Sequence, residues 1–225
     1  ELCCDFDEEN GVLQNLLEND CDWLIIDHYE LDEVYEKACQ SWARNIMCID
    51  DLANRKHCCD ILLDQTLGRM KEEYTHLVNQ SCRLIVGVEY VLVRHDFITL
   101  RKKTIKNRDN ISQVKNILVS VGATDPKGIT LLILNAIDDA KLDCNITVVL
   151  GASAPFLTEV RSIAETMSQD INIICDVDNM AEIMMECDLA IGAAGTSSWE
   201  RCVLGLPTLL LVVADNQTKI ANELN

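Results

Sequence analysis

Ile117-Leu118-Val119-Ser120-Val121-Gly122-Ala123-Thr124-Asp125-Pro126 is the stretch whose reading decides the fold. A short apolar run without polar alternation ends at a glycine, and a hydroxyl, an acid and a proline follow at once. Continuous apolar character marks a strand covered on both faces. Gly122 lets the backbone approach a neighbour closely, Thr124 or Asp125 can cap a helix, and Pro126 suits a first helical turn. A helix start built in this way is a natural anion site. The same residues also describe a sound strand–helix turn that holds nothing.

Working outward, the pattern recurs. Strands are expected at Trp23–Asp27, Ile46–Asp50, Ile61–Asp64, Arg83–Val86, Ile117–Val121, Ile146–Leu150, Ile171–Cys175, Leu189–Gly192 and Thr208–Val213. Helical patterns lie between them at Leu31–Trp42, Pro126–Ala140, Pro155–Met167, Met180–Cys187, Ser197–Leu204 and Asn216–Leu224. Strand alternating with helix predicts parallel βαβ units and an α/β, doubly wound architecture. The alternation lapses once, from Arg94 to Val114, where Arg101-Lys102-Lys103, Lys106 and Arg108 read as a solvated linker. Two Rossmann-like lobes with parallel sheets follow, residues 1–108 and 109–225, the first incomplete at its N-terminus. A ligand is expected in the cleft between them, at the carboxyl ends of the strands.

Composition narrows the partners. The 225 residues carry 19 Lys+Arg against 37 Asp+Glu, a formal charge of −18, with 48% apolar residues. That is globular composition, and the charge opposes binding to a phosphate backbone, so no nucleic acid is expected. The longest apolar run, Leu204 to Ala214, is broken by Gly205 and Pro207 and falls short of the roughly 20 residues a spanning helix needs. The start has neither a signal-peptide pattern nor an initiator Met, and the chain is expected to be cut from something longer. Twelve cysteines occur without any CxxC, many inside apolar segments. They read as reduced, buried thiols of a cytoplasmic protein with no metal site and no cofactor.

Two further loops carry chemistry in the second half. Gly195, Thr196, Ser197 and Ser198 follow Ile191-Gly192-Ala193-Ala194, leaving space and offering hydroxyls and backbone N–H groups suited to a diphosphate. Glu200 lies one turn on, placed to accept hydrogen bonds from a ribose diol or simply to favour the helix dipole. Asp215-Asn216-Gln217 offers neutral bidentate groups for sugar hydroxyls or acetamido groups, or an ordinary helix cap. In the first half, Asp27-His28-Tyr29, Asp50-Asp51 and His57-Cys58-Cys59-Asp60 close or precede strands. A His–Asp pair among them suits acid–base work, although a histidine in such a loop also serves structure. GxSxG, HExxH and Walker patterns are absent from the sequence, so common hydrolase and NTPase machineries lack support.

Taken together, seven segments resemble one family: the nucleotide-sugar hydrolase of pseudaminic acid synthesis (PseG) and its spore-coat polysaccharide relatives (SpsG). They are Leu24 through Tyr29, Asp50-Asp51, His57 through Leu63, Tyr90 through Arg94 with Phe97, Gly122 through Asp125, Ala194 through Glu200, and Asp215 through Gln217, in family order. The resemblance implies a GT-B architecture like that of MurG and hydrolysis of a UDP-linked diacetamido-trideoxyhexose, releasing UDP without metal. It implies Tyr29 as an active-site contact, His28 as a secondary candidate and Asn216 as a substrate-contacting residue. Gly122, Thr124, Asp125, Gly195, Thr196, Ser197, Ser198, Glu200 and Gln217 then bind substrate. Two departures stand out: Ala123 replaces a usual second glycine, and the family's Gly-x-Gly-His-x-x-Arg loop, which carries the base, is not found. The chain by itself is accordingly expected to be inactive or weakly active. A fusion or complex with other sugar-biosynthesis enzymes is a further expectation. A GT-B glycosyltransferase and a non-catalytic nucleotide-sugar-binding module are the competing readings.

Overall fold

A computed structural model describes residues 21–109, 111–214 and 217–224. The chain divides between Leu92 and Val93 into two compact units. In the first, β1 (Leu24–Ile26), β2 (Ile46–Ile49), β3 (Ile61–Asp64) and β4 (Arg83–Val86) pair in sequence order, all parallel. Helix α1 (Glu33–Cys39) starts at Asp32, whose carboxylate accepts from Val34 N at 2.9 Å. Tyr35 and Cys39 of α1 pack with Ile26, Ile46, Cys48, Leu62 and Tyr74 into this unit's core.

The second unit opens with α2 (His95–Arg108) and β5 (Asn116–Ser120). It continues through α3 (Ile129–Asp139), β6 (Asn145–Leu150), α4 (Leu157–Ala164), β7 (Asp170–Cys175) and α5 (Met180–Glu186). The last elements are β8 (Leu189–Ala193), α6 (Ser197–Val203), β9 (Thr208–Leu211) and α7 (Gln217–Leu224). Its sheet is wholly parallel in the order β7-β6-β5-β8-β9. Chain order reverses between β5 and β8, which is where open α/β sheets leave a crevice. The apolar run of β5 shows why the strand does not alternate. Ile117 and Val119 face the cluster containing Leu134 and Val160, whereas Leu118 faces the one containing Phe97 and Met184.

The basic stretch that reads as a linker is α2. Phe97 and Thr104 are buried, and its arginines, half-buried Arg108 and exposed Arg101, serve helix ends. Arg108 donates to Met184 O at 2.9 Å, Cys187 O at 2.7 Å and Leu204 O at 2.9 Å, and Arg101 donates to Val203 O. These carbonyls close α5 and α6, the negative ends of both helices, where cations are favoured. The units therefore part ahead of the basic stretch, whereas the sequence reading parts the lobes after Arg108. Among the described residues, no helix is long and apolar enough to cross a membrane.

All ten cysteines among the described residues are free thiols. Hydrogen bonding to Cys48 and burial push Cys59 up, and hydrogen bonding to Cys59 and burial push Cys82 up, so neither favours the thiolate. Alkylation of the native protein should label exposed Cys202 ahead of buried Cys39, Cys48, Cys58 and Cys59. Mass spectrometry after non-reducing denaturation should find no disulfide among these ten.

Candidate nucleotide-sugar site

Ser120 and Gly192 stand opposite each other as β5 and β8 end, so the loops that follow leave the sheet side by side. Gly122 has φ of 120°, a region that side-chain-bearing residues rarely adopt, and an added Cβ there would meet open space. Gly122, Thr124, Asp125 and Lys127 line a pocket of about 220 Å³ with Val213 and Ala214, beyond the end of β9. Thr124 is exposed, but Asp125 is buried and its carboxylate turns back into the fold. It accepts from Ile129 N at 2.9 Å and Thr130 N at 2.8 Å, capping α3. Lys127 Nζ donates to Val213 O at 3.0 Å, tying the loop after β5 to β9.

The loop after β8 divides its hydroxyls. Thr196 is exposed and Ser197 half-buried. Ser198 is buried, and its Oγ accepts from Arg201 Nη2 at 3.0 Å. Gln217 joins this loop: its Nε2 lies 3.8 Å from where a Gly195 Cβ would stand, while its Oε1 accepts from Val213 N at 3.0 Å. The structure thus brings Gly195 and Gln217 together, and the loops after β5, β8 and β9 gather at one end of the sheet. Burial raises the Glu200 carboxyl, against the pull of Arg94 and Arg201. Arg94 itself donates to Asp178 O at 3.0 Å. Asp215 and Asn216 lie outside the described residues.

In the first unit, Tyr29 Oη donates to Asp51 Oδ2 at 3.1 Å. Burial and Asp51 raise its phenol, which therefore stays a donor at neutral pH. His28 Nδ1 accepts from Glu30 N at 3.1 Å, a contact that places the ring proton on Nε2. Behind these exposed side chains lies a buried network that sequence reading did not find. Tyr74 Oη sits 2.8 Å from both Asp50 Oδ2 and Asp64 Oδ2. Arg55 meets Asp50 at 2.6 Å, and Arg69 meets Asp64 at 2.6 Å. Burial pushes Asp50 up, but Tyr74, the Ala53 N–H and Arg55 outweigh it and hold the carboxyl below its ordinary value.

His57 belongs to the interior and does not pair with Asp60. Its Nδ1 lies 2.6 Å from Glu36 Oε1, and Asp60 Oδ2 instead accepts from Ile46 N at 2.8 Å. Glu36, Cys48 and His57 gather within 4.8 Å of one another. Two ligands on one tetrahedral zinc would stand about 3.3 Å apart. The 2.6 Å Glu36–His57 separation is that of a hydrogen bond, and Cys48 Sγ adds a second to the same oxygen at 3.1 Å.

Residues 116–225 match the glycosyltransferase family 28 C-terminal domain. The chain is 32% identical over 147 residues to the spore coat polysaccharide biosynthesis protein SpsG of Bacillus subtilis, covering 64% of this chain and 42% of SpsG. It is 27% identical over 199 residues to the UDP-2,4-diacetamido-2,4,6-trideoxy-beta-L-altropyranose hydrolase of Campylobacter jejuni, 88% of this chain and 69% of that protein. It is also 27% identical over 209 residues to the uncharacterized protein MJ1062 of Methanocaldococcus jannaschii, 91% of this chain and 43% of the other. The chain thus spans less than half the length of two of these relatives. Among solved structures it resembles MurG of Acinetobacter baumannii, with a TM-score of 0.61 at 14% identity, covering 97% of this chain and 60% of that one. A UDP-GlcNAc 2-epimerase of Neisseria meningitidis gives a TM-score of 0.56 at 13% identity, covering 96% and 66%. The chain is PseG/SpsG-like in sequence and GT-B-like in fold, as its seven segments led us to expect.

Two outcomes follow from this geometry. Asp125→Ala should destabilise the second unit by about 1–2 kcal/mol, the scale of a lost helix cap, read by urea unfolding. Glu200 has a folded carboxyl above its ordinary value of 4.5, so its contribution to stability is present below that value and lost as pH rises through the folded one. Urea melts across a pH series should therefore show Glu200→Gln gaining on the wild type as pH climbs above 4.5.

Proposed function

We propose that this chain is part of an enzyme that hydrolyses a UDP-sugar, its sugar a diacetamido-trideoxyhexose destined for surface polysaccharide or nonulosonic acid synthesis. The observation that carries the reading is the gathering of the Gly122, Gly195 and Gln217 loops at the carboxyl ends of β5, β8 and β9. In this reading Gly122 and Thr124 line the sugar-diphosphate pocket, and Gly195, Thr196 and Ser197 present backbone N–H groups and hydroxyls to the phosphates. Ser198 and Asp125 act from behind, holding their loops in shape. Glu200 accepts from the ribose diol, and Gln217 and Asn216 read sugar substituents.

Tyr29 Oη, its one proton held by Asp51, accepts a hydrogen bond from the substrate. His28, with its proton on Nε2, donates rather than takes a proton, so it is not assigned as the base that activates water. A second reading, transfer of the sugar to an acceptor, draws on the family 28 match over residues 116–225. The two differ in whether UDP leaves when water is the only acceptor.

Calorimetry should detect UDP binding without added metal. Glu200→Ala should weaken it by about 1–3 kcal/mol, the cost of hydrogen-bonding partners left unpaired. Equal affinities would remove Glu200 from the site. Incubation with the UDP-linked diacetamido-trideoxyhexose and no acceptor should release UDP weakly, and more slowly still in Tyr29→Phe. Release only on addition of an acceptor glycan would favour the transferase.

A further inference from the structure

Arg201 is the largest fully buried side chain among the described residues, with 2% of its surface exposed. It follows Glu200 on α6, but adjacent helix positions do not face each other. Its guanidinium runs inward beneath the end of β8, where Nη2 donates to Ala193 O at 2.6 Å and to Ser198 Oγ at 3.0 Å. Its Nε is buried without a partner, and among the described residues no carboxylate lies within ion-pair distance of it. A side chain at position 192 would obstruct this path. A Cβ on Gly192 would stand 2.7 Å from Arg201 Nη1 and 2.7 Å from Ser120 O.

Buried cations are ordinarily paired, because an isolated charge in the interior is costly. Arg201 instead has a carbonyl and a hydroxyl, both belonging to the loop that the functional reading assigns to the diphosphate. Burial pulls its basicity down, as expected of a cation lacking a counter-charge, with Cys202 and Glu200 opposing only in part.

We propose that Arg201 is a positioning residue for the nucleoside diphosphate. Its buried charge sits behind the Ala193–Ser198 loop and meets its counter-charge only when the ligand's phosphates occupy the loop's outer side. The guanidinium also fixes the loop by holding Ala193 O and the Ser198 hydroxyl, and it never touches the ligand. This inference rests on UDP binding at that loop, so its test is arranged to separate the two claims.

UDP, uridine and inorganic pyrophosphate are titrated into wild type, Arg201→Met and Arg201→Lys, with thermal unfolding recorded for each. Arg201→Met should weaken UDP about tenfold while leaving uridine within about twofold. That is the scale of a unit-charge interaction across about 12 Å at an effective dielectric near 20. Arg201→Lys, which keeps the charge, should recover most of the loss. UDP and uridine weakened alike, together with a lowered Tm, would make the role structural and overturn the proposal. Unchanged UDP affinity in Arg201→Met would overturn it while leaving the functional reading in place. A wild type that binds neither UDP nor pyrophosphate would overturn both.

Discussion

The pairing of Ser120 with Gly192 is the constraint on which the second unit depends. It sets β5 beside β8 although three strand–helix transitions separate them in the chain, and it reverses strand order at that point. Neighbouring strands there send their following helices to opposite faces, so the loops diverge and leave their carboxyl ends uncovered. Gly192 has to be glycine for this pairing to coexist with a buried Arg201. The backbone of β5 lies on one side of it and the guanidinium on the other, each 2.7 Å from where a Cβ would be. Sheet register, loop shape and interior charge therefore meet at one residue without a side chain.

The first unit solves its polar problem differently. Asp50 and Asp64 end neighbouring strands with their carboxylates in the interior, and each is met by an arginine at 2.6 Å. Tyr74 bridges them, and Arg69 extends the network to Glu73 at 2.7 Å and to the Asp51 carbonyl at 2.5 Å. A buried network of this kind is stiff when satisfied. Its consequence at the surface is a fixed Asp51, hence a fixed orientation for Tyr29. Positioning of an exposed phenol thus begins at buried residues behind it.

The strands were legible because two-sided burial leaves continuous apolar runs, and every strand expected from the sequence forms within a few residues of its expected ends. Helix α2 was not. Its inward residues Phe97, Leu100 and Thr104 are sparse and lie among cations whose partners, Met184, Cys187 and Leu204, are remote in sequence. The site divides in the same way. Loops at strand ends announce themselves by glycine and hydroxyl content, and the meeting of Gly195 with Gln217 follows from neighbouring strands. Which way a side chain turns is decided by tertiary contacts: the sequence offered Thr124 or Asp125 as a cap for α3 without choosing between them, and nothing in it showed Ser198 pointing inward. Arg201, written next to Glu200, read as one more polar residue on a helix.

Charge gives these details a common sense. A chain of net charge −18 repels an anionic ligand at long range, and physiological salt confines that repulsion to about 8 Å. Cations that are held in place but not neutralised work against that repulsion locally. In the first unit the arginines meet carboxylates, as Arg55 does at Asp50 and Arg69 at Asp64. Around the second unit's strand ends Lys127 is tethered by the Val213 carbonyl and Arg201 by the Ala193 carbonyl, whereas Arg94 has both the Asp178 carbonyl and the Asp96 carboxylate at 3.7 Å. A carbonyl oxygen fixes a cation's position while leaving most of its charge uncancelled, whereas a carboxylate fixes the position and cancels the charge. Lys127 and Arg201 thereby keep their charges beside the loops after β5 and β8, within a chain that is otherwise strongly acidic.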